Sequence, residues 1–184
     1  MSNLLTTTEY QAIAKDLSFP QSAFIDGKYR VGHGTVFASI NPANGDTLTE
    51  IVSCDKSDVD FAVTKAREVF DQGHWAKLNP SERKSIMIRL CKLITRNSRE
   101  LAVMESIDSG KPILDCETID IPETIETIKW HAELIDKVYD QTAPAQDDAI
   151  SMIVREPVGV VAAILPWNFP LLMICLLYTS PSPR

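Results

Sequence analysis

The chain is short of the residues that build metal and redox sites. Four cysteines, at 54, 91, 116 and 175, form no Cys-x-x-Cys pair, and the three histidines (33, 74, 131) stand apart from them, so the spacing gives no zinc motif. Positive charge is also scarce: 18 Lys and Arg against 25 Asp and Glu leave a net charge of -7. Without a basic footprint there is nothing to neutralise phosphates, which argues against nucleic acid. No run of 18 apolar residues is present, so no segment reads as membrane-spanning. The opening MSNLLTTTEYQAIAKDL lacks a basic stretch followed by an apolar one, so it does not read as a signal peptide, and a cytoplasmic protein is the expectation. Glycine is sparse too. Gly32-x-Gly34 lacks its third glycine, since Phe37 stands there, so it is not a dinucleotide fingerprint.

What is present suits a single soluble domain. Hydrophobic residues at 45% and charged residues at 23% are ordinary. Cys54, Cys91 and Cys116 read as small core or subsurface residues. After a weakly periodic, peripheral opening to Phe19, Asp26-Gly27 between two apolar arms predicts a two-residue hairpin. TVFASINP and TLTEIVSC predict two further strands around the turn-rich NPANGD.

Helices follow. Val59, Ala62, Val63, Ala66, Val69 and Phe70 make one apolar stripe, with Ser57 as N-cap and Asp60 three residues on. A second helix starts after Asn79-Pro80 and buries Ile86, Leu90, Leu93 and Ile94. A third spans 98–109, closed by Gly110 with Pro112 beyond. Asp120-Ile121-Pro122-Glu123 resembles a capping box, opening a helix striped by Ile121, Ile125, Ile128, Ala132 and Ile135. Beyond Tyr139 the pattern turns β-branched. AISMIVREP reads as strand, and VGVVAAIL as a parallel strand covered on both faces. The order predicts an α/β domain whose parallel sheet is only beginning at the end of the chain.

That buried run leads into Pro166-Trp167-Asn168-Phe169-Pro170, a rigid loop able to present the Asn168 amide as a fixed donor where open α/β sheets bind ligands. On residue chemistry alone, Asn168 also reads as a structural loop amide, Trp167 and Phe169 as core, Met173 as filler and Asp108 as a helix-end residue.

With EPVGV and PWNFP, and with FIDGKY, INPANGD, DKSDVDFAVTKAREVF, ESIDSGKP and IVREPVGV in support, the chain resembles the aldehyde dehydrogenase superfamily from about Phe24 to Met173. The stretch from DIPETIETIKWHAELIDKVY through SMIVREP is most similar to bacterial enzymes of putrescine breakdown that oxidise γ-glutamyl-γ-aminobutyraldehyde. The resemblance implies an incomplete N-terminal part of a Rossmann-like cofactor-binding domain over residues 1–174, with antiparallel strands and helices preceding the first buried parallel strand. Residues of about 140–156 would match strands of an oligomerisation arm. It further implies NAD or NADP as cofactor, a small aldehyde as substrate, attack by a cysteine thiolate to give a thiohemiacetal, and a homodimeric or homotetrameric parent. Asn168 matches the oxyanion-hole amide, and Ile164, Leu165, Pro166 and Trp167 the strand end along the cofactor. Phe169 and Met173 match the substrate tunnel. Ser39 and Asp108 match positions that hold a structural monovalent cation in some members.

In that family the nucleophilic cysteine, the glutamate base, the phosphate-binding glycines and the ribose-gripping lysine all fall beyond residue 184, and none of the four cysteines here matches the nucleophile. The chain is therefore expected to be inactive alone, as part of a longer enzyme. The alternative is a short non-catalytic module that binds nucleotide or pairs with other subunits. Residues 175–184, CLLYTSPSPR, have no helical stripe and carry two prolines. They resemble the conceptual translation of a transposon-library sequencing adapter, so this tail is expected to be non-native.

Overall fold

A computed structural model of the chain describes residues 4–177. It opens with helix α1 (Thr7–Asp16), where the sequence pattern was weak. Thr6 and Glu9 close a capping box, and the Tyr10 hydroxyl donates to Glu117 at 2.5 Å, tying the helix to the body.

Strands β1 (Ala23–Ile25) and β2 (Lys28–Arg30) pair antiparallel through Asp26 and Gly27. Both turn residues have positive φ, 56° and 72°, as a tight hairpin matched to strand twist requires. Strands β3 (Val36–Ile40) and β4 (Thr47–Val52) form a second antiparallel pair with an irregularity between Ser39 and Ile40. Helix α2 (Lys56–Gln72) is capped by Asp55 rather than Ser57, because the Asp55 carboxylate accepts from the Ser57 and Asp58 amides and Asp58 closes the box. Helix α3 (Pro80–Arg96) begins with its proline in the first turn. Helix α4 (Ser98–Ser109) ends at Gly110, whose φ of 77° lies in the left-handed region.

A short helix α5 (Ile113–Asp115) then runs through a π-turn (Cys116–Asp120) into α6 (Ile121–Leu134). This differs from the expected start at Asp120. That residue is already helical and makes no cap, because its carboxylate is engaged by Lys111. Strands β5 (Gln141–Ala143) and β6 (Ser151–Ile153) form a third antiparallel pair, and helix α7 (Pro170–Leu177) closes the described chain.

The core lies among α3, α4, the π-turn, α6 and α7. Cys91, Ile94, Ala102, Cys116, Ile121, Ile128 and Cys175 are buried together there. The α6 stripe packs as expected. In α3, by contrast, Ile86, Leu90 and Leu93 remain exposed, and Cys91 and Ile94 carry the burial. Helix α2 buries none of its residues, and Val59, Val63 and Val69 face outward. Cys54 is exposed, not subsurface.

The fold class is the expected partial α/β arrangement, with one difference. VGVVAAIL carries no regular structure, and Val158, Val161 and Ile164 are exposed. A parallel strand is made by its neighbours, and all strand pairing among the described residues is antiparallel and two-stranded. Of the tail 175–184, Cys175, Leu176 and Leu177 continue α7, since the prolines come later, and Cys175 is buried. The rest of that tail, 178–184, lies outside the described residues. No helix of the described residues is long and apolar enough to cross a membrane.

Candidate functional site: the Pro-Trp-Asn-Phe-Pro loop and its floor

The loop sits where an extended run meets a helix. Trp167 and Asn168 form a turn, Phe169 a bend, and Pro170 the first residue of α7. Proline suits that position because a first-turn amide has no intrahelical partner. The Phe169 carbonyl accepts from the Met173 amide at 2.8 Å, which anchors the loop to the helix.

The residues expected to meet cofactor form an apolar outer edge. Ile164 is 97% exposed and Trp167 77%, Pro166 is exposed and Leu165 half-buried. Asn168 is exposed and makes no hydrogen bond among the described residues, so its amide is available to a ligand. Phe169 and Met173, expected along a substrate tunnel, are half-buried on the inner side.

Beneath Phe169 lies a charged cluster that no sequence pattern indicated. The Lys111 ammonium lies 3.5 Å from the centroid of the Phe169 ring. It bonds the Asp120 carboxylate and stands 3.9 Å from Glu105 Oε1. Asp120 is only 2% exposed and Glu105 7%. Burial, reinforced by the neighbouring Asp120, pushes the Glu105 carboxyl up to about 7, and Glu105 Oε1 has no hydrogen-bond partner. Burial also pushes the Cys116 thiol up to about 12. A cysteine held as thiol at neutral pH is neither a nucleophile nor a ready metal ligand. Ligand atoms of Glu105, Cys116 and Asp120 gather within 4.8 Å, but Lys111 already supplies the positive charge to that group. The only local signal for Lys111 was its place after the Gly110 helix end; its partners come from α4 and the π-turn.

Ser39 and Asp108 are brought together as a separate pair, with Ser39 Oγ donating to Asp108 Oδ1 at 2.8 Å. His33, Asp55 and Asp58 also cluster, and the helix cap accounts for them. Asp58 accepts from the His33 amide at 2.8 Å and the Asp55 amide at 2.9 Å, and these bonds hold its carboxyl down at about 2. An open apolar cavity of about 900 Å³ between α3, α6 and α7 is lined by Trp75, Ile86, Leu90 and Trp130, among others, and by none of the loop residues 164–170.

The model of the aldehyde dehydrogenase family matches residues 29–179. An aminoacetaldehyde dehydrogenase of Pseudomonas aeruginosa is 54% identical over 196 aligned residues, covering 100% of this chain and 40% of that protein. The solved structure of a γ-glutamyl-γ-aminobutyraldehyde dehydrogenase from Burkholderia cenocepacia superposes with a TM-score of 0.90 at 43% identity, covering 93% of this chain and 35% of that one. A variant indole-3-acetaldehyde dehydrogenase of P. syringae, in complex with NAD+ and IAA, gives a TM-score of 0.90 at 44% identity, covering 94% and 35%. The chain thus spans well under half the length of the proteins it matches.

Proposed function

The chain belongs to the aldehyde dehydrogenase family, and we propose that it is the N-terminal part of an NAD(P)-dependent enzyme oxidising an amine-derived aldehyde to its carboxylic acid. The observation that carries this reading is the open Asn168 amide on a loop anchored to α7. A side-chain amide carried on such a loop can donate to the oxygen that becomes negative when a thiolate adds to an aldehyde. One such donor is worth about 3–4 kcal/mol in the transition state.

The overall reaction is aldehyde, water and NAD(P)+ giving acid, NAD(P)H and a proton. When bound, the nicotinamide accepts the hydride. The residues present fit one side of that cofactor: Ile164, Leu165, Pro166 and Trp167 offer an exposed apolar edge beside Asn168. Phe169 and Met173 supply an apolar wall for the substrate. Ser39 and Asp108 contribute two hard oxygens, which suit a structural monovalent cation. The thiohemiacetal would form on a cysteine outside this chain, since none of the four here matches the family's nucleophile: Cys91, Cys116 and Cys175 are buried, and Cys54 lies in the connection between β4 and α2.

The chain is accordingly inactive alone. The parent is cytoplasmic and assembles as a dimer or tetramer, with the exposed β5–β6 pair as its arm. An amine-derived substrate is supported by the aminoacetaldehyde and γ-glutamyl-γ-aminobutyraldehyde enzymes among the similar proteins.

The test follows NAD(P)H formation from both of those aldehydes by the full-length parent and by this chain. The parent should turn over and the chain should not, and Asn168→Ala should lower the parent's kcat by roughly 100- to 1000-fold. Turnover by the chain, or an indifferent Asn168→Ala, would overturn the reading. A short nucleotide-binding module would instead show its melting midpoint raised by NAD+ or NADP+ with no chemistry.

A further inference from the structure

The charged floor under the loop is costly to bury. An ion pair of this kind is often no more stabilising than an apolar replacement of similar volume. What the cluster supplies is a fixed point. The Lys111 backbone is pinned on both sides, with its amide donating to Ser109 Oγ at 3.3 Å and its carbonyl accepting from Ser106 Oγ at 2.7 Å. Gly110 before it packs where an added Cβ would meet Pro42 at 2.7 Å, and Pro112 follows. On the other side, Asp120 sits at the end of the π-turn, an insertion that re-aims a helix face. The Asp120 carbonyl is held by Thr124 Oγ1 at 2.8 Å. With its backbone pinned and its ammonium set between Asp120 and Glu105, Lys111 also meets the face of the Phe169 ring. Phe169 is the residue after Asn168 and the start of the α7 hydrogen-bond ladder.

We propose that Lys111 is a positioning residue for the oxyanion loop: held by Asp120 and Glu105, its ammonium grips the face of Phe169 and fixes the adjacent Asn168 amide. This rests on the aldehyde dehydrogenase reading above. Lys111 touches neither substrate nor cofactor in this role and acts through Phe169. The groups facing it are Asp120 from the π-turn, Glu105 from α4 and the Cys116 thiol. Burial and the neighbouring Asp120 raise the Glu105 carboxyl, which favours its protonated form and lessens the negative charge facing Lys111.

The test is a double-mutant cycle on kcat in the full-length parent. Lys111→Met should lower kcat by roughly 10- to 100-fold, the scale of a small misplacement of a catalytic group. KM should stay within about 3-fold, and Lys111→Arg should recover part of the loss. In an Asn168→Ala background, Lys111→Met should change kcat by less than about 3-fold, because the amide it positions is gone. The triple variant Glu105→Gln, Lys111→Met, Asp120→Asn removes the charges together, and so tests the same role should the single variant, which leaves two buried acids unpaired, fail to fold. It should show the same kcat loss and the same non-additivity. A full loss that persists in the Asn168→Ala background, or a folded triple variant with unchanged kcat, would overturn the proposal. If the wild-type parent forms no NAD(P)H from aldehydes, or ignores Asn168→Ala, the functional reading fails and takes the proposal with it.

Discussion

Ser39 Oγ donates a 2.8 Å hydrogen bond to Asp108 Oδ1, joining the irregular end of β3 to the last turn of α4. The bond links the β3–β4 pair to the helical core. Ser39→Ala should therefore lower stability by about 1 kcal/mol, below the usual range for a bond to a charged acceptor because water can reach Asp108. Thermal melts check this. If the pair also holds a monovalent cation, replacing Na+ and K+ by a bulky organic cation should lower the wild-type midpoint and leave Asp108→Asn unmoved.

The buried carboxyl of Glu105 makes stability depend on pH. Its folded pKa is raised to about 7 from the ordinary glutamate value of 4.5, so between those values the folded state binds more protons than the unfolded one. Stability from this group is fully present below about 4.5 and is lost as pH rises to about 7. Melts of wild-type protein and Glu105→Gln across that window should diverge, with the variant showing the flatter profile. Parallel profiles would mean that Glu105 does not titrate there.

Cysteine chemistry separates one thiol from three. Cys54 is exposed, whereas Cys91, Cys116 and Cys175 are buried and burial raises each thiol, to about 12 for Cys116 and about 11 for Cys175. A maleimide at neutral pH should modify Cys54 alone in the folded protein and all four after denaturation. Peptide mapping reads the result. Rapid native labelling of Cys116 would contradict the packing of the π-turn against α4.

The local elements were legible where one residue forces one geometry. Asp26-Gly27 accepts positive φ and so marks a hairpin, Pro80 marks a first turn, and Gly110 marks a helix end. The α2 cap was off by two residues because Asp55 and Ser57 are both good caps, and only the His33 and Asp58 contacts decide between them. Burial was less legible than periodicity. VGVVAAIL and the α2 stripe are apolar enough to be covered, yet periodicity does not supply a partner, and Val59, Val63, Val158, Val161 and Ile164 are exposed among the described residues. Of the candidate site, the loop with Asn168 was visible as a motif, and Ser39 and Asp108 came as a pair through resemblance. The Lys111, Asp120 and Glu105 cluster was not, since three ordinary charged residues acquire meaning only when the π-turn folds Asp120 back over α4.

The most direct test of the central claim is to re-amplify the locus from source DNA and sequence past codon 173. The account predicts that the frame continues into a longer helix, a glycine-rich phosphate loop and a cysteine motif, with CLLYTSPSPR absent. A natural stop codon directly after Arg184 would contradict it and leave a short non-catalytic module in its place.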